Sequence, residues 1–155
     1  ANGTHLHKFI EFIYRHPEEM MKFGGRKSSY AKFEDAWGFD EYDRPIFNID
    51  FEKGTDLNGG DKYTAVNTSK EFTVELRFFR GTTKVDTIMA YLGMAHAIVE
   101  YTRDVLSDTT DEWYDWKAFD GWVTAHASTY PELAERMPSI LGLSLESLNS
   151  LTIDA

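Results

Sequence analysis

The chain has 155 residues, 42% hydrophobic and 15% aromatic, enough apolar material for one packed domain or two very small ones and too much for disorder over most of its length. Its formal net charge of −10 opposes binding to nucleic acid or an anionic membrane, although a local basic patch could still hold one small anion. The absence of cysteine excludes disulfides, thiolate zinc sites and a cysteine nucleophile, and fits a reducing compartment. No apolar run reaches the length of a membrane span, and the first residues lack the charged-then-apolar pattern of a signal peptide, so the expected location is cytoplasmic.

In chain order, Thr4 is the expected N-cap of a helix whose apolar side is Leu6, Phe9, Ile10 and Ile13. His16-Pro17 interrupts it, Pro17 opens a second short helix with Glu18 and Glu19 at its positive end, and Gly24-Gly25 closes that helix. Residues 26–43 read as irregular and aromatic-rich. Alternation predicts a strand over about 45–52, a glycine-rich turn from Gly54 to Asp61, and a second strand over about 62–67 that could pair with the first. The clearest strand spans about 72–80, with Phe72, Val74, Leu76 and Phe78 on one face and Thr73, Glu75, Arg77 and Phe79 on the other. Thr83, with Asp86 in the reciprocal position, is the expected cap of a long helix running to about Leu106, with Val85, Ile88, Leu92, Ala95 and Val99 at near-heptad spacing. After an acidic break from Ser107 to Asp111, a helix is expected over Trp113–Ala127. A short one from Tyr130-Pro131 should end before Pro138, with a last turn or two between Ser144 and Leu151. The order predicts an α+β fold: an antiparallel sheet of few strands, an N-terminal helix and a helical C-terminal half, in a single domain over 1–155.

Glu75 and Arg77, two apart on a strand, share a face. A carboxylate there can hold Mg²⁺ through oxygen, and a guanidinium beside it can clamp a phosphate. Arg80 falls on the opposite face by strict alternation and joins the pair only if the strand bends near Gly81. The plainer reading is a solvated sheet face with an ion pair along the strand. Lys22, Gly24, Gly25, Arg26, Lys27 and Lys32 form a basic cluster, either an anion-binding nest or a helix C-terminus neutralised by cations. Asp56, Asn58 and Asp61 lack the spacing of a calcium loop and read as a hairpin turn. His5 and His7, about 200° apart on a helix, could not share a metal, and read as surface or cap histidines. Trp113, Tyr114, Trp116 and Trp122 sit among Asp108, Asp111, Glu112, Asp115 and Asp120, which opposes stacking on bases and favours core packing or a protein interface.

The stretch Asp61–Asn67, then Thr73-Val74-Glu75-Leu76-Arg77-Phe78-Phe79-Arg80-Gly81-Thr82 and a long apolar helix, resembles the C-terminal part of the ATP-dependent amidoligase (carboxylate–amine ligase) family. Gly25-Arg26 and Ser29-Tyr30-Ala31-Lys32-Phe33 are similar too, so the resemblance spans about 1–106 and leaves 107–155 as a helical, Trp-rich extension. It implies a glutamine-synthetase-like fold, ATP with Mg²⁺, and condensation of a small-molecule carboxylate with an amine. It also implies that Glu75 is the metal or ATP ligand, that Arg77 and Arg80 are the catalytic phosphate or substrate ligands, and that Arg26 and Lys32 are nucleotide contacts. The family's upstream paired acidic ligands and its His-x-His strand have no recognisable counterpart here. The alternative expectation is therefore a non-catalytic binding or assembly protein on the same fold. Such a protein would form a homo-oligomer or a complex with a protein partner through Trp113 or Trp116, one version being a phage-encoded inhibitor acting in the host cytoplasm.

Overall fold

The computed structural model describes residues 3–26, 31–33, 38–41, 43, 45–46, 64–68, 70, 73–110 and 112–140. Helix α1 (Gly3–Arg15) forms where Leu6, Phe9, Ile10 and Ile13 recur at helical spacing, and all four are buried together with Phe12. It begins at Gly3, so Thr4 lies inside the helix and is not its cap. Helix α2 (Pro17–Gly24) opens on a proline, whose missing N–H would have had no helical partner, with Glu18 and Glu19 in its first turn. It closes on Gly25, at φ 69°, whose N–H donates to the Met21 carbonyl at 2.9 Å.

The strands are short. β1 (Gly38–Phe39) pairs antiparallel with β2 (Pro45–Ile46), and β3 (Val66–Asn67) pairs antiparallel with β4 (Glu75–Leu76), with Val66 opposite Leu76 and Asn67 opposite Glu75. β2, β3 and β4 fall inside the expected strands, whereas β1 lies in a stretch read as irregular, because Gly38-Phe39 is too short to show a period. Among the described residues these are two separate ladders. The expected pairing of 45–52 with 62–67, and the Gly54–Asp61 turn, lie mostly outside the described residues. The β3–β4 ladder is prolonged by the Arg77 N–H donating to the Ala65 carbonyl at 2.8 Å and the Ala65 N–H donating to the Lys32 carbonyl at 2.7 Å.

Helix α3 (Val85–Asp104) takes Lys84, not Thr83, as its N-cap residue, and ends two residues earlier than expected. Thr82 Oγ1 accepts from the Lys84 N–H at 3.2 Å, while Asp86 turns outward to Arg136 at 3.4 Å and does not close a capping box. Beyond its last turn the carbonyls of Val105, Leu106 and Asp108 accept from Lys8 Nζ, a buried cation at the negative end of the helix. Its core face is Ala90, Met94, Ala97, Ile98 and Tyr101, packed on α1. The near-heptad residues Val85, Ile88 and Leu92 face outward instead, 73%, 39% and 60% exposed. This helix is apolar on two sides, and the side carrying the small Ala90 and Ala97 is the one that lets α1 approach.

The expected helix over 113–127 divides into a 3₁₀ turn (Glu112–Tyr114) and helix α4 (Trp116–Ala125), separated by Asp115, whose carboxylate caps α4 by accepting from the Lys117 N–H at 3.0 Å. Helix α5 (residues 131–140) runs through Pro138 and does not stop before it; buried Met137 and Ile140, on either side of the proline, hold that last turn against the core. Trp113, Trp116, Phe119, Val123, Leu133 and Met137 belong to the same buried cluster as the apolar faces of α1 and α3. The Ser144–Leu151 turn lies outside the described residues. Among the described residues no helix is long and apolar enough to cross a membrane. The architecture is α+β, with an N-terminal helix and a helical C-terminal half.

Candidate functional site

Strand β4 and the residue after it set Glu75 and Arg77 on one face, as alternation requires. Arg77 Nε lies 3.6 Å from Glu75 Oε1, with the Glu75 side chain 59% exposed and that of Arg77 18% exposed. Across the ladder Asn67 Nδ2 donates to Glu75 Oε2 at 3.5 Å. Arg26, from the segment after α2, donates through Nη1 to the Arg77 carbonyl at 3.0 Å. The Arg26 guanidinium thus reaches the backbone of the residue whose side chain pairs with Glu75, although Arg26 and Arg77 are 51 positions apart.

The approach that brings Arg26 there depends on Gly24. A Cβ at Gly24 would sit 2.0 Å from the Phe78 carbonyl oxygen. The Gly24 carbonyl accepts from the Arg80 N–H at 2.6 Å and from the Tyr91 hydroxyl at 3.1 Å, tying the end of α2 to the end of the β4 segment and to α3. Leu76 and Phe79 both line one groove, which strict alternation forbids, so the chain changes face between them, before Gly81. Arg80 then lies beside Gly25 and Tyr91, in a polar hollow of 580 Å³ walled also by Thr82, Thr83, Lys84 and Thr87. Lys84, Thr87 and Tyr91 were not anticipated from sequence. Their signal is there in retrospect: Lys84, Thr87 and Tyr91 are polar residues three and then four apart along a helix start.

Of the expected set, Glu75 and Arg77 pair, Arg26 reaches the Arg77 backbone, and Arg80 lines the polar hollow instead. Lys32 is exposed and does not join them, because β3 lies between: Ala65 donates to Lys32 on one side and accepts from Arg77 on the other. Lys27 and the Asp56, Asn58 and Asp61 turn lie outside the described residues. Among the described residues there is no group of three or more His, Asp or Glu that could hold a metal ion.

A second cavity, of 370 Å³, lies on the other face of β4. Leu6 and Phe9 of α1, Leu76 and Phe79, and Ala95 and Val99 of α3 wall it. His5 stands at its edge, not on the surface as expected: it is 4% exposed, with Nε2 3.1 Å from the Val99 carbonyl and 2.9 Å from Thr102 Oγ1. His7 instead pairs with Glu11 on the same helix at 3.5 Å. Burial lowers the His5 pKa below 6.5, against the opposing pull of its hydrogen bond to Val99. The folded state therefore holds fewer protons than the unfolded one around that pH. The His5 contribution is complete above pH 6.5 and is lost as the pH falls through the lowered folded value. Thermal unfolding followed from pH 8 to pH 5 should show this loss, and His5→Gln should flatten it; an identical pH profile in the variant would remove His5 as its source.

Two tryptophans of the expected cluster, Trp113 and Trp116, resolve to core packing. Trp113 and Trp116 are each 4% exposed and offer no face to a base or a partner. Trp122 donates from Nε1 to Asp104 at 2.9 Å and stacks on His126 with ring centroids 4.0 Å apart. No family model, curated protein or solved structure matches the chain.

Proposed function

We propose that this chain is the nucleotide-handling part of an ATP- and Mg²⁺-dependent carboxylate–amine ligase. The observation that carries the reading is the Glu75–Arg77 pair, braced from a second segment by Arg26 through the Arg77 carbonyl. In such a reaction a carboxylate oxygen attacks the γ-phosphorus and ADP leaves; the amine then attacks the acyl carbon of the acyl phosphate, and phosphate leaves. Arg77 and Arg80 fit the charge on the transferring phosphoryl group, Arg26 holds the Arg77 backbone in place, and Glu75 offers one oxygen ligand. One carboxylate does not make a protein cage for a metal, but it suits Mg²⁺ that arrives on the nucleotide and keeps most of its water and phosphate ligands. That ion would supply neutralisation of the phosphate charge.

Unfolding with and without Mg²⁺–ATP tests the reading. A ligand of the folded state at 100 times its dissociation constant adds about 2.7 kcal/mol. The expected result is a Mg²⁺-dependent rise in midpoint that Glu75→Ala and Arg77→Met lose while remaining folded. No rise in the parent chain would sink the ligase reading.

A second reading, a binding or assembly protein, is favoured by one observation: Val85, Ile88, Met89 and Leu92 expose an apolar stripe along α3, with Met89 44% exposed. The tryptophans that had been candidates for this role are buried, so the stripe replaces them. Light scattering should then report an oligomer, or a complex with a protein partner, that Leu92→Glu dissolves. A monomer that behaves identically with and without the substitution counts against it.

A further inference from the structure

We infer that the polar hollow and the apolar groove are the two halves of one site for an amphipathic anion, its apolar chain in the groove and its negative head between Arg80 and Lys84. Thr87, Tyr91, Ala95 and Val99 are four apart along α3, so they form one ridge that rises about 6 Å and turns about 40° per step, roughly 18 Å in all. The first two wall the hollow and the last two wall the groove. Phe79 of the groove and Tyr91 of the hollow stack with centroids 4.7 Å apart and planes 22° from parallel, so the two spaces adjoin at this pair.

The chemistry of the halves is opposite. The described walls of the groove are aliphatic and aromatic side chains apart from His5, which already places Nε2 on Val99 and Thr102. Such a surface gains from covering by an alkyl or aryl group and from nothing charged. The hollow has a guanidinium, an ammonium and the hydroxyls of Thr82, Thr83 and Thr87, and no carboxylate among its described walls; Asp86 at the helix start is turned to Arg136. In a chain of net charge −10 that concentration of donors selects an anion. Volumes of 370 and 580 Å³ lie in the range of small-molecule sites. An inorganic anion would leave the groove uncovered and a hydrocarbon would leave the cations without a partner. A medium-length chain with one carboxylate or phosphate head satisfies both.

The site shares Arg80 with the ligase reading but does not use Glu75, so the two fail separately. Calorimetric titration with decanoate below its micelle concentration is the test, with decanol and inorganic phosphate as the half-ligands. Decanoate should bind one per chain, roughly tenfold or more tighter than either half-ligand. Lys84→Glu, an exposed change that leaves the core untouched, should weaken decanoate by about the same factor without weakening decanol. Ala95→Phe, which fills the groove, should weaken both, while Glu75→Ala should leave decanoate binding as it was. Absence of binding, an affinity indifferent to both Lys84→Glu and Ala95→Phe, or uptake of several molecules per chain would overturn the proposal, the last indicating adsorption on the exposed α3 stripe.

Discussion

Gly24→Ala is expected to destabilise the fold by about 3 kcal/mol or more, the upper end of overpacking, and to lower the unfolding midpoint by roughly 6–12 °C in a chain of this size. The reason is geometric. The new methyl carbon would lie 2.0 Å from the Phe78 carbonyl oxygen and 2.9 Å from its carbon, and both obstacles are backbone, which cannot rotate away as a side-chain tip can. Relief requires the end of α2 to move off the β4 segment. That movement breaks the Arg80 N–H bond to the Gly24 carbonyl and the Tyr91 hydroxyl bond to the same oxygen. It also disturbs the Phe79–Tyr91 stack, so loss of stability should come with loss of any ligand held by Arg80. Gly81 provides the control: among the described residues nothing lies within 4 Å of a Cβ there, and Gly81→Ala should be close to neutral. Gly121, in the exposed middle of α4 with the same open surroundings, should gain up to about 1 kcal/mol as alanine. Thermal denaturation of the three variants decides the matter. A Gly24→Ala midpoint equal to that of Gly81→Ala would mean that α2 and Phe78 are not in backbone contact.

The contrast between those glycines is one the sequence does not express. Gly24 and Gly25 read together as a helix end, and Gly25 does carry the left-handed cap; that its neighbour is the contact point for a strand more than fifty residues later depends on tertiary approach alone. Helix α1 is legible because its apolar residues occupy one stripe and its charged residues the other. Helix α3 is legible as a helix but not in its orientation. Val85, Ile88 and Leu92 keep near-heptad time and still face water, because Ala90, Met94, Ala97 and Ile98 form a second apolar stripe that packs closer to α1. Periodicity counts apolar positions and cannot rank two stripes by how near a partner can come. At the candidate site, alternation correctly joined Glu75 to Arg77, a relation internal to one strand. It missed Lys84, Thr87 and Tyr91, which belong to the start of α3 and meet Arg80 only through tertiary approach. Lys32 was placed with the nucleotide contacts by resemblance to a motif; the hydrogen bonds of Ala65 put a strand between it and the pair.

Phe12→Ala should have an effect as large as that of Gly24→Ala by the opposite physics, a void in place of a clash. Phe12 is fully buried, and its ring centroid lies 5.0 Å from that of Phe119, 5.6 Å from Tyr101, 6.2 Å from Trp116 and 6.4 Å from Trp113. One side chain of α1 therefore touches α3, the 3₁₀ turn and α4 at once. Truncation of a buried phenylalanine removes about 3–5 kcal/mol, and at 2–4 °C per kcal/mol the midpoint should fall by roughly 6–20 °C. Because these four aromatic rings pack round the position, little can slide in to fill the space without losing its own ring contacts, and the loss should lie toward the upper end. Phe12→Leu keeps much of the volume and should lose clearly less. Tryptophan fluorescence distinguishes how the loss is distributed: Trp113 and Trp116 should redden at the same temperature at which helicity falls if α1, α3 and α4 unfold together. Reddening well below the loss of helicity would mean that the 3₁₀ turn and α4 detach first, leaving α1 on α3. A Phe12→Ala chain that melts with the parent would mean that the aromatic cluster does not hold the C-terminal helices to α1 at all.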